Sequence, residues 1–266
     1  MSIEQIVVLA IVQGVTEFLP ISSSGHLILV PALTGWKDQG LATDIMVHVG
    51  SLFAILVYFW RDVLQLIAGG FELLRLKWTD RSRLAAYILL ATIPAVIFGL
   101  ILKSTGLVVE FRGIKLIAWN AIIYGLVMLV ADRVGSSLRE VKDMTLPSAI
   151  GIGLAQALAL IPGTSRSGIT ISAARFLGFS RAEAARFSFL LGIPAIAGAG
   201  LLTALDDSGG AQGALSSDAL LAAAFTFLSA LASIAFLMAL LRRITLLPFV
   251  IYRFILGGFL LVLAYT

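Results

Sequence analysis

The amino-acid sequence predicts an all-α integral membrane protein with an inverted-topology repeat, in which each half is a re-entrant helix-loop-helix hairpin followed by three transmembrane helices. Three observations support this fold class. Apolar residues make up 59% of the 266 residues and charged residues only 13%, a composition too hydrophobic for the surface of a water-soluble domain. Several apolar stretches are long enough to cross a bilayer. Two further apolar segments are interrupted by polar loops that contain proline.

Uninterrupted apolar runs predict the spanning helices. A helix needs about 20 residues to cross roughly 30 Å of hydrocarbon, and six runs come close to this length: 42–60, 84–102, 114–131, 187–205, 219–241 and 244–265. The segments 3–36 and 147–180 differ, because each has an apolar run, a polar loop and a second short run. Irregular backbone inside a membrane is tolerated only around a protein-lined cavity. Both segments are therefore predicted to enter the membrane and turn back.

Charged loops predict the orientation, because basic residues collect on the cytoplasmic side of membrane proteins. The 61–83 loop and the pair Arg242-Arg243 are basic, whereas the 206–218 loop has three aspartates and no basic residue. The basic loops are expected in the cytoplasm and the acidic loop outside. Counting spans then places the ends of the first hairpin outside, those of the second inside, and the 103–113 loop and the C-terminus outside. The net charge of +4 is accounted for by these flanks, and no nucleic-acid partner is expected.

An internal repeat relates the two interrupted segments. A shift of 143 residues aligns, without a gap, Gln13 with Gln156, Ser22 with Ser165, Ser24 with Ser167, Gly25 with Gly168 and Gly35 with Gly178. Residues 1–266 are predicted to form a single membrane domain with repeats at approximately 1–131 and 144–266. An odd number of spans in each half makes the two copies inverted, and in such folds two broken elements meet near the midplane of the membrane.

The two polar loops carry the residues expected of an anion site. Each delivers serine and glycine to the expected start of a short helix, at Gly25 and at Gly168. Glycine lets the backbone approach a ligand closely, and a helix N-terminus favours an anion. Two opposed N-termini would therefore hold a diphosphate from both sides. The predicted substrate-binding residues are Gln13, Ser22, Ser24, Gly25, Gly163, Thr164, Ser165, Ser167 and Gly168.

Two ionisable residues lie inside these membrane segments and need partners. A charged side chain at the centre of a membrane helix costs about 2.5–3.5 kcal/mol on insertion scales. The Arg166 guanidinium matches phosphate oxygens in bidentate fashion, and the alternative is that it pairs with Glu17. Glu17 is a candidate base, metal ligand or orienting group, and Gln13 lies four residues earlier on the same helical face.

Both histidines lie near other polar residues. His26 follows Ser22 by four residues and Ser23 by three, a spacing that permits a serine nucleophile with a histidine base, or a histidine acid for the leaving group. The alternative for His26 is a capping or packing role. Asp44 and His48 are four residues apart and are predicted to form a hydrogen-bonded pair at the membrane interface.

Arg253 and a group of charged residues between 175 and 186 have simpler interpretations than substrate binding. Arg253, in the last span, is expected either to pair with a carboxylate or to contact a lipid phosphate. Arg175, Arg181, Glu183 and Arg186 are predicted to form a solvated cytoplasmic face.

These motifs resemble those of a known family. The segments QGVTEFLPISSSGH at 13–26 and PGTSRSG at 162–168 resemble the two signatures of bacterial undecaprenyl-pyrophosphate phosphatases of the bacitracin-resistance (BacA) type. The similarity extends to GSLFAILVYFWRD at 50–62, RFSFLLGIPA at 186–195 and LPFVIYRFILGG at 247–258, and so covers most of the chain.

The resemblance implies an enzyme that hydrolyses undecaprenyl diphosphate to undecaprenyl phosphate and inorganic phosphate. This reaction recycles the carrier lipid for peptidoglycan synthesis in the bacterial cytoplasmic membrane and confers bacitracin resistance. The implied catalytic residues are Glu17, Ser23, His26 and Arg166. Ser23 is the expected nucleophile, with His26 or Glu17 accepting its proton, and direct attack by water is the alternative. The expected partners are the polyprenyl diphosphate and the bilayer, and a homodimer is compatible with the sequence.

One departure from the family bears on metal binding. Many members have glutamate where this chain has Gln13, so a site built from two carboxylates is not available here. A divalent cation such as Mg²⁺ or Ca²⁺ would depend on Glu17 and on the phosphates of the substrate. No organic cofactor is expected.

Two other functions are compatible with parts of the sequence. The SSSGH and SR fragments resemble elements of type 2 phosphatidic-acid phosphatases, but the other motifs of that class are missing, so the likeness is local. Inverted repeats with broken helices also suit a transporter or flippase of polyprenyl phosphate or phosphate.

Overall fold

The computed structural model describes residues 1–37, 39–105, 113–204 and 216–265, which fold into α-helices without a β-strand. The helices are α1 Ile3–Thr16, α2 Ser23–Thr34, α3 Gly40–Tyr58, α4 Trp60–Leu74, α5 Asp80–Thr105, α6 Ile114–Val134, α7 Leu146–Leu158, α8 Arg166–Phe176, α9 Arg181–Ala204, α10 Ser217–Leu240 and α11 Leu247–Tyr265.

The described helices confirm a multi-pass, all-α membrane protein. Five of them, α5, α6, α9, α10 and α11, are long and apolar enough to cross a bilayer, and the bent pair α3 and α4 adds a sixth candidate. The aspartates at 206 and 207, which favour this orientation, and Arg112, which opposes it, lie outside the described residues. The orientation stays a prediction.

Helix α4 corrects the prediction of a loop from 61 to 83. The chain bends by 90° after α3 and continues as α4. The apolar residues Leu64, Ile67 and Phe71 recur at helical spacing and are exposed, while Gly69 packs against the backbone of Arg81 at the start of α5. An amphipathic helix at right angles to a span suits the membrane surface. Most of the basic residues that suggested a loop lie after the end of α4 at Leu74.

The two predicted hairpins are present, as α1 with α2 and α7 with α8. The second helix of each begins two residues before the predicted start, at Ser23 and at Arg166. The capping residues Ser22 and Ser165 occupy equivalent positions and have φ angles of 79° and 72°. Non-glycine residues adopt positive φ rarely and at an energetic cost, and such residues cluster at functional sites. Both hairpins therefore turn with the same strained backbone geometry.

The packing order of the helices repeats between the two halves. Helix α1 packs on α10 as α7 packs on α5, and α3 packs on α10 as α9 packs on α5. The related helices α3 and α9 contact each other, and so do α6 and α11. Equivalent helices of the two halves therefore have equivalent neighbours, which supports an inverted repeat. The boundaries 1–131 and 144–266 stay a prediction.

A buried ionic cluster ties the halves together and corrects the prediction of a solvated face. Arg175 is 1% exposed. The Asp132 carboxylate accepts hydrogen bonds from Arg175 Nε at 3.3 Å, from Arg181 Nε at 2.6 Å and from the Leu246 backbone N–H at 2.9 Å. A buried guanidinium needs such partners, and the partner carboxylate lies 43 residues away in sequence.

Two glycines one half-turn apart on α7 make a matched stability test. A Cβ atom at Gly153 would lie 2.7 Å from Ala91 Cα on α5, whereas one at Gly151 would meet nothing within 4 Å. Overpacking of a close helix contact costs about 1–3 kcal/mol. We expect Gly153→Ala to lower the free energy of unfolding in detergent micelles by this amount and Gly151→Ala to leave it unchanged or slightly raised. Equal effects would show that α5 and α7 do not touch at this point.

Candidate active site

The loops of the two hairpins meet directly. Ser167 Oγ, near the start of α8, donates to the backbone oxygens of Glu17 and Leu19 in the first loop, each at 3.2 Å. A Cβ atom at Gly168 would lie in ordinary van der Waals contact with Pro20 Cβ, at 3.5 Å, so the two loops are close at this point as well. The predicted meeting of the two broken segments is confirmed.

Arg253 of α11 joins both loops to α6. Its side chain is 1% exposed and donates to Pro20 O in the first loop at 3.4 Å and to Gly163 O in the second at 2.9 Å. It also donates to the backbone oxygens of Asn120 at 3.0 Å and Ala121 at 3.1 Å. Neither of the two expected partners, a carboxylate or a lipid phosphate, is involved in these contacts. Backbone carbonyls instead satisfy the buried guanidinium.

Glu17 is the centre of the polar contacts between the loops. Its Oε2 accepts hydrogen bonds from Ser23 Oγ at 2.6 Å and from Gln13 Nε2 at 3.2 Å, and its Oε1 accepts one from Arg166 Nη2 at 3.2 Å. The pairing of Arg166 with Glu17, which was the alternative to a phosphate role, is therefore present. Of the other two nitrogens, Nη1 donates to Ser188 O at 2.9 Å. Nε has no partner among the described residues, and this free donor keeps a phosphate role open.

A cavity of about 340 Å³ opens beside this carboxylate. Six of the predicted site residues line it: Glu17, Ser22, Ser23, Ser24, Ser165 and Arg166. Its walls include apolar side chains of α5, of α9 and of the turn after α7, among them Ala95, Ile196 and Leu160. The cavity therefore combines a cationic, hydroxyl-rich end with an apolar wall.

The other predicted residues support the loops without lining this cavity. Gln13 is fully buried and bonds Glu17, and Gly163, with φ 88°, packs against the backbone of Ile117. Thr164 is fully buried, and its hydroxyl has no partner in the described part of the chain. A Cβ atom at Gly25 would lie 3.2 Å from Ile117 Cγ2, so the first helix start is also closely packed.

The structure does not bring His26 to the Ser23 hydroxyl. His26 Nδ1 donates to the Ser22 backbone oxygen at 2.7 Å, and Nε2 accepts from the Tyr252 hydroxyl at 2.6 Å. The two rings stack with centroids 5.7 Å apart. Both ring nitrogens are engaged, and the imidazole supports the strained Ser22 turn, which is closer to the alternative packing role.

His48 is the histidine that lines the cavity. Its Nδ1 donates to the Asp44 backbone oxygen at 2.7 Å, and its Nε2 lies 3.8 Å from Glu17 Oε2. The predicted pairing with Asp44 is correct only for the backbone, and the location at the interface is replaced by one beside Glu17. The spacing of four residues predicted the first contact, but no local pattern in the sequence relates residue 48 to residue 17.

Gln156 is a second cavity residue that the sequence identified only as the repeat partner of Gln13. It is 2% exposed and lines the cavity from α7. Its Nε2 lies 3.5 Å from Ala91 O, and its Oε1 has no partner among the described residues.

The residues of the cavity fit a protein-bound divalent ion poorly. Hard cations need several oxygen ligands, yet both Glu17 oxygens already accept hydrogen bonds, one of them from a guanidinium. In the described ranges, no group of three His, Cys, Asp or Glu side chains is arranged to hold a metal ion. A divalent cation stays a prediction of the resemblance, and no step proposed below depends on one.

The fold and this cavity define a multi-pass membrane protein in which two re-entrant loops build one buried, cationic site for an anionic ligand. The chain belongs to the family described as bacitracin resistance protein BacA, which matches residues 6–259.

Its full-length relatives agree with this assignment. The chain is 49% identical to a protein named undecaprenyl-diphosphatase from Jannaschia sp. (strain CCS1) and 49% identical to one of the same name from Roseobacter denitrificans, with 100% of each chain covered. It is also 49% identical to an undecaprenyl-diphosphatase from Alteromonas mediterranea, with 98% of each chain covered. The resemblance seen in the sequence is thereby confirmed.

Removing the Arg253 guanidinium should loosen both loops together. Arg253→Met keeps a long apolar chain but leaves the carbonyls of Pro20 and Gly163 without this donor. Hydrogen bonds to charged groups contribute about 1.5–3 kcal/mol each, so we expect the free energy of unfolding in micelles to fall by about 3 kcal/mol or more. Arg243→Met, at an exposed arginine after α10, is the control and should leave it unchanged. A stability loss no larger than that of the control would contradict the role of Arg253 in joining the loops.

Proposed function

We propose that this chain hydrolyses undecaprenyl diphosphate to undecaprenyl phosphate and inorganic phosphate, which returns the carrier lipid to peptidoglycan synthesis and confers bacitracin resistance. The observation that carries the proposal is the hydrogen bond from Ser23 Oγ to Glu17 Oε2 at 2.6 Å, with Arg166 bound to the other oxygen of the same carboxylate. This places a hydroxyl, a proton acceptor and a phosphate-binding cation at one end of one cavity.

Ser23 is proposed to attack the terminal phosphorus of the substrate. The Ser23 hydroxyl already points at Glu17, so Glu17 takes its proton as the Oγ–P bond forms. The bond between the terminal phosphorus and the bridging oxygen breaks, and undecaprenyl phosphate departs with the electron pair. Glu17 keeps this proton for the second step, and undecaprenyl phosphate leaves as an anion. A phosphoserine at Ser23 is left for hydrolysis by water.

Positive charge at the cavity stabilises the transferring phosphoryl group. Phosphoryl transfer depends mainly on positioning and on neutralising oxygen charge. The Arg166 guanidinium has its Nε without a partner among the described residues. Helix α2 begins at Ser23 without a side-chain capping bond from Ser22, so its first N–H groups are free to face an anion. These groups bind the two phosphates from opposite loops.

The apolar wall suits the first units of the isoprenoid tail. Small residues at Ala95, Ala195, Ala199 and Gly200 line the cavity between α5 and α9. Branched isoprenoid units fit such a wall, and the rest of the tail extends into lipid. We further propose that the chain works in the bacterial cytoplasmic membrane, where this carrier lipid is used. A homodimer stays a prediction.

A transporter built on the same repeat is the alternative function. The Ser23 and Glu17 contact favours hydrolysis, because transport requires no activated hydroxyl. Release of inorganic phosphate from undecaprenyl diphosphate by the purified chain in detergent would establish catalysis, whereas binding of the lipid without turnover would favour transport.

The covalent route is tested by Ser23→Ala. Removing the hydroxyl that bonds Glu17 should lower phosphate release by at least about 1,000-fold, while the purified protein keeps its unfolding temperature. Ser104→Ala, at an exposed serine in the last turn of α5, is the matched control and should behave as the native chain. Near-normal phosphate release by Ser23→Ala would rule out a serine nucleophile and favour direct attack by water.

His48 is proposed to position Glu17 through its Nε2. His48→Gln removes that nitrogen but can still donate to a backbone oxygen. We expect kcat to fall by about tenfold with little change in KM or in unfolding temperature, because orientation of the proton acceptor matters mainly in the transition state. Steady-state assays on purified protein measure this split. An unchanged kcat would mean that the 3.8 Å approach of Nε2 to Glu17 Oε2 is only packing.

A further inference from the structure

We infer that Gln156 orients the water molecule that hydrolyses the phosphoserine at Ser23, an inference that rests on the proposed covalent route. It assigns to a residue of the second half a role in the second chemical step. The first step uses Ser23, Glu17 and Arg166, whereas the hydrogen bond of Gln156 within the described residues goes to Ala91 O.

The Gln156 amide is buried in the cavity wall and has fewer hydrogen bonds than its polar atoms can form. The residue is 2% exposed and lines the same cavity as Ser23. Its Nε2 reaches Ala91 O only at the long distance of 3.5 Å, and its Oε1 has no partner among the described residues. Buried polar atoms are nearly always hydrogen-bonded to protein or to ordered water. An unpaired amide oxygen in a ligand cavity therefore indicates a missing donor.

The chemistry of the amide defines that donor. Ala91 O can only accept, so the Gln156 NH₂ group must face it and the carbonyl oxygen Oε1 must be the free end. Ionised phosphate oxygens are acceptors and would repel Oε1. Water has O–H groups to donate, and it is the second substrate of the hydrolysis. The site thus suits a water molecule rather than the diphosphate.

The position of Gln156 in the fold suits in-line attack. Ser23 reaches the cavity from α2 in the first half, and Gln156 reaches it from α7 in the second half. In phosphoryl transfer, the entering and leaving oxygens lie roughly in line on opposite sides of the phosphorus. Close packing of Gly153 on the Ala91 backbone, one turn before Gln156, fixes α7 at this point. Water held by Gln156 would approach from the half opposite Ser23.

The internal repeat places the two equivalent amides in different surroundings. Gln13 Nε2 donates to Glu17 Oε2 at 3.2 Å. The position equivalent to Glu17 in the second half is Leu160, and the Gln156 NH₂ group faces Ala91 O instead. The Oε1 atoms of both glutamines lack a partner among the described residues, but of the two only Gln156 lines the cavity and can bind a ligand there.

The hydrolytic step balances with the groups already assigned. The water oxygen attacks the phosphorus of phosphoserine, and one of its protons passes to a phosphoryl oxygen. The P–Oγ bond breaks, and Ser23 Oγ leaves with the electron pair and takes the proton from Glu17. The products are inorganic phosphate and the free Ser23 hydroxyl. Gln156 accepts a hydrogen bond from the water and exchanges no proton.

Rapid-quench kinetics with undecaprenyl diphosphate labelled in its terminal phosphate test the inference on the purified full chain in detergent. Gln156→Leu lacks the acceptor oxygen at similar volume. We expect one rapid burst of undecaprenyl phosphate per active site, accumulation of labelled phosphoserine at Ser23, and steady phosphate release slowed by about 100-fold, the loss expected from misplacing a reactant by about 1 Å. Gln156→Glu keeps an acceptor oxygen and should lose less. Gly151→Ala, on the same helix, should match the native chain.

Two results would overturn the role of Gln156. In the first, the Gln156→Leu variant forms undecaprenyl phosphate and inorganic phosphate equally slowly, and no labelled phosphoserine accumulates. This result would place the residue in the first step or in folding. The other is native kinetics in that variant. The proposed route is checked separately in the same assay, because phosphate release by Ser23→Ala would remove the serine intermediate whatever Gln156 does, and lack of turnover by the native chain would remove the hydrolase proposal itself.

Discussion

The buried ion pair between Glu17 and Arg166 is the interaction on which the arrangement of this molecule depends. Each residue alone would be costly inside a membrane, and each is supplied by a different hairpin. Their contact at 3.2 Å therefore joins the two halves at the point where both backbones are broken. Because the cation also faces the cavity, the pair that stabilises the closed loops presents charge to a phosphate ligand. The stability of the closed loops and the proposed binding of phosphate therefore depend on the same two side chains.

Backbone geometry makes this contact possible. Ser22 and Ser165 both have positive φ angles, a conformation that L-residues adopt at a cost. Arg253 offsets this cost by donating to carbonyl oxygens of both loops, and His26 does so by donating to the Ser22 oxygen. Arg253, which is buried, and His26, which is partly exposed, here hold loops in place and need not react with substrate themselves. Rigid support of this kind is what keeps reacting groups within hydrogen-bond reach of one another.

Much of this architecture could be predicted from the sequence, because it depends on local pattern. Apolar length predicted the spans, and polar interruption predicted both hairpins and the loop residues around Ser23 and Arg166. What could not be predicted depends on tertiary packing. His48 reaches Glu17 only because α3 packs beside α1, and Arg175 is buried because Asp132 comes to it from another helix. Helix α4 was missed because most of the basic residues of 61–83, which suggested a loop, follow its end at Leu74.

The two loops differ in sequence while sharing one backbone geometry, and in the proposed mechanism this difference lets a single site carry out two chemical steps. In the first half, Gln13 is bound by Glu17 and the carboxylate is free to activate Ser23. In the second half, Leu160 replaces the carboxylate, Gln156 lines the cavity with an unpaired Oε1, and Arg166 provides the charge. A symmetric pair of acidic loops would place two carboxylates around a diphosphate and repel it. Loss of the acid in one copy therefore turns a duplicated turn into a nucleophile on one side and a phosphate and water site on the other.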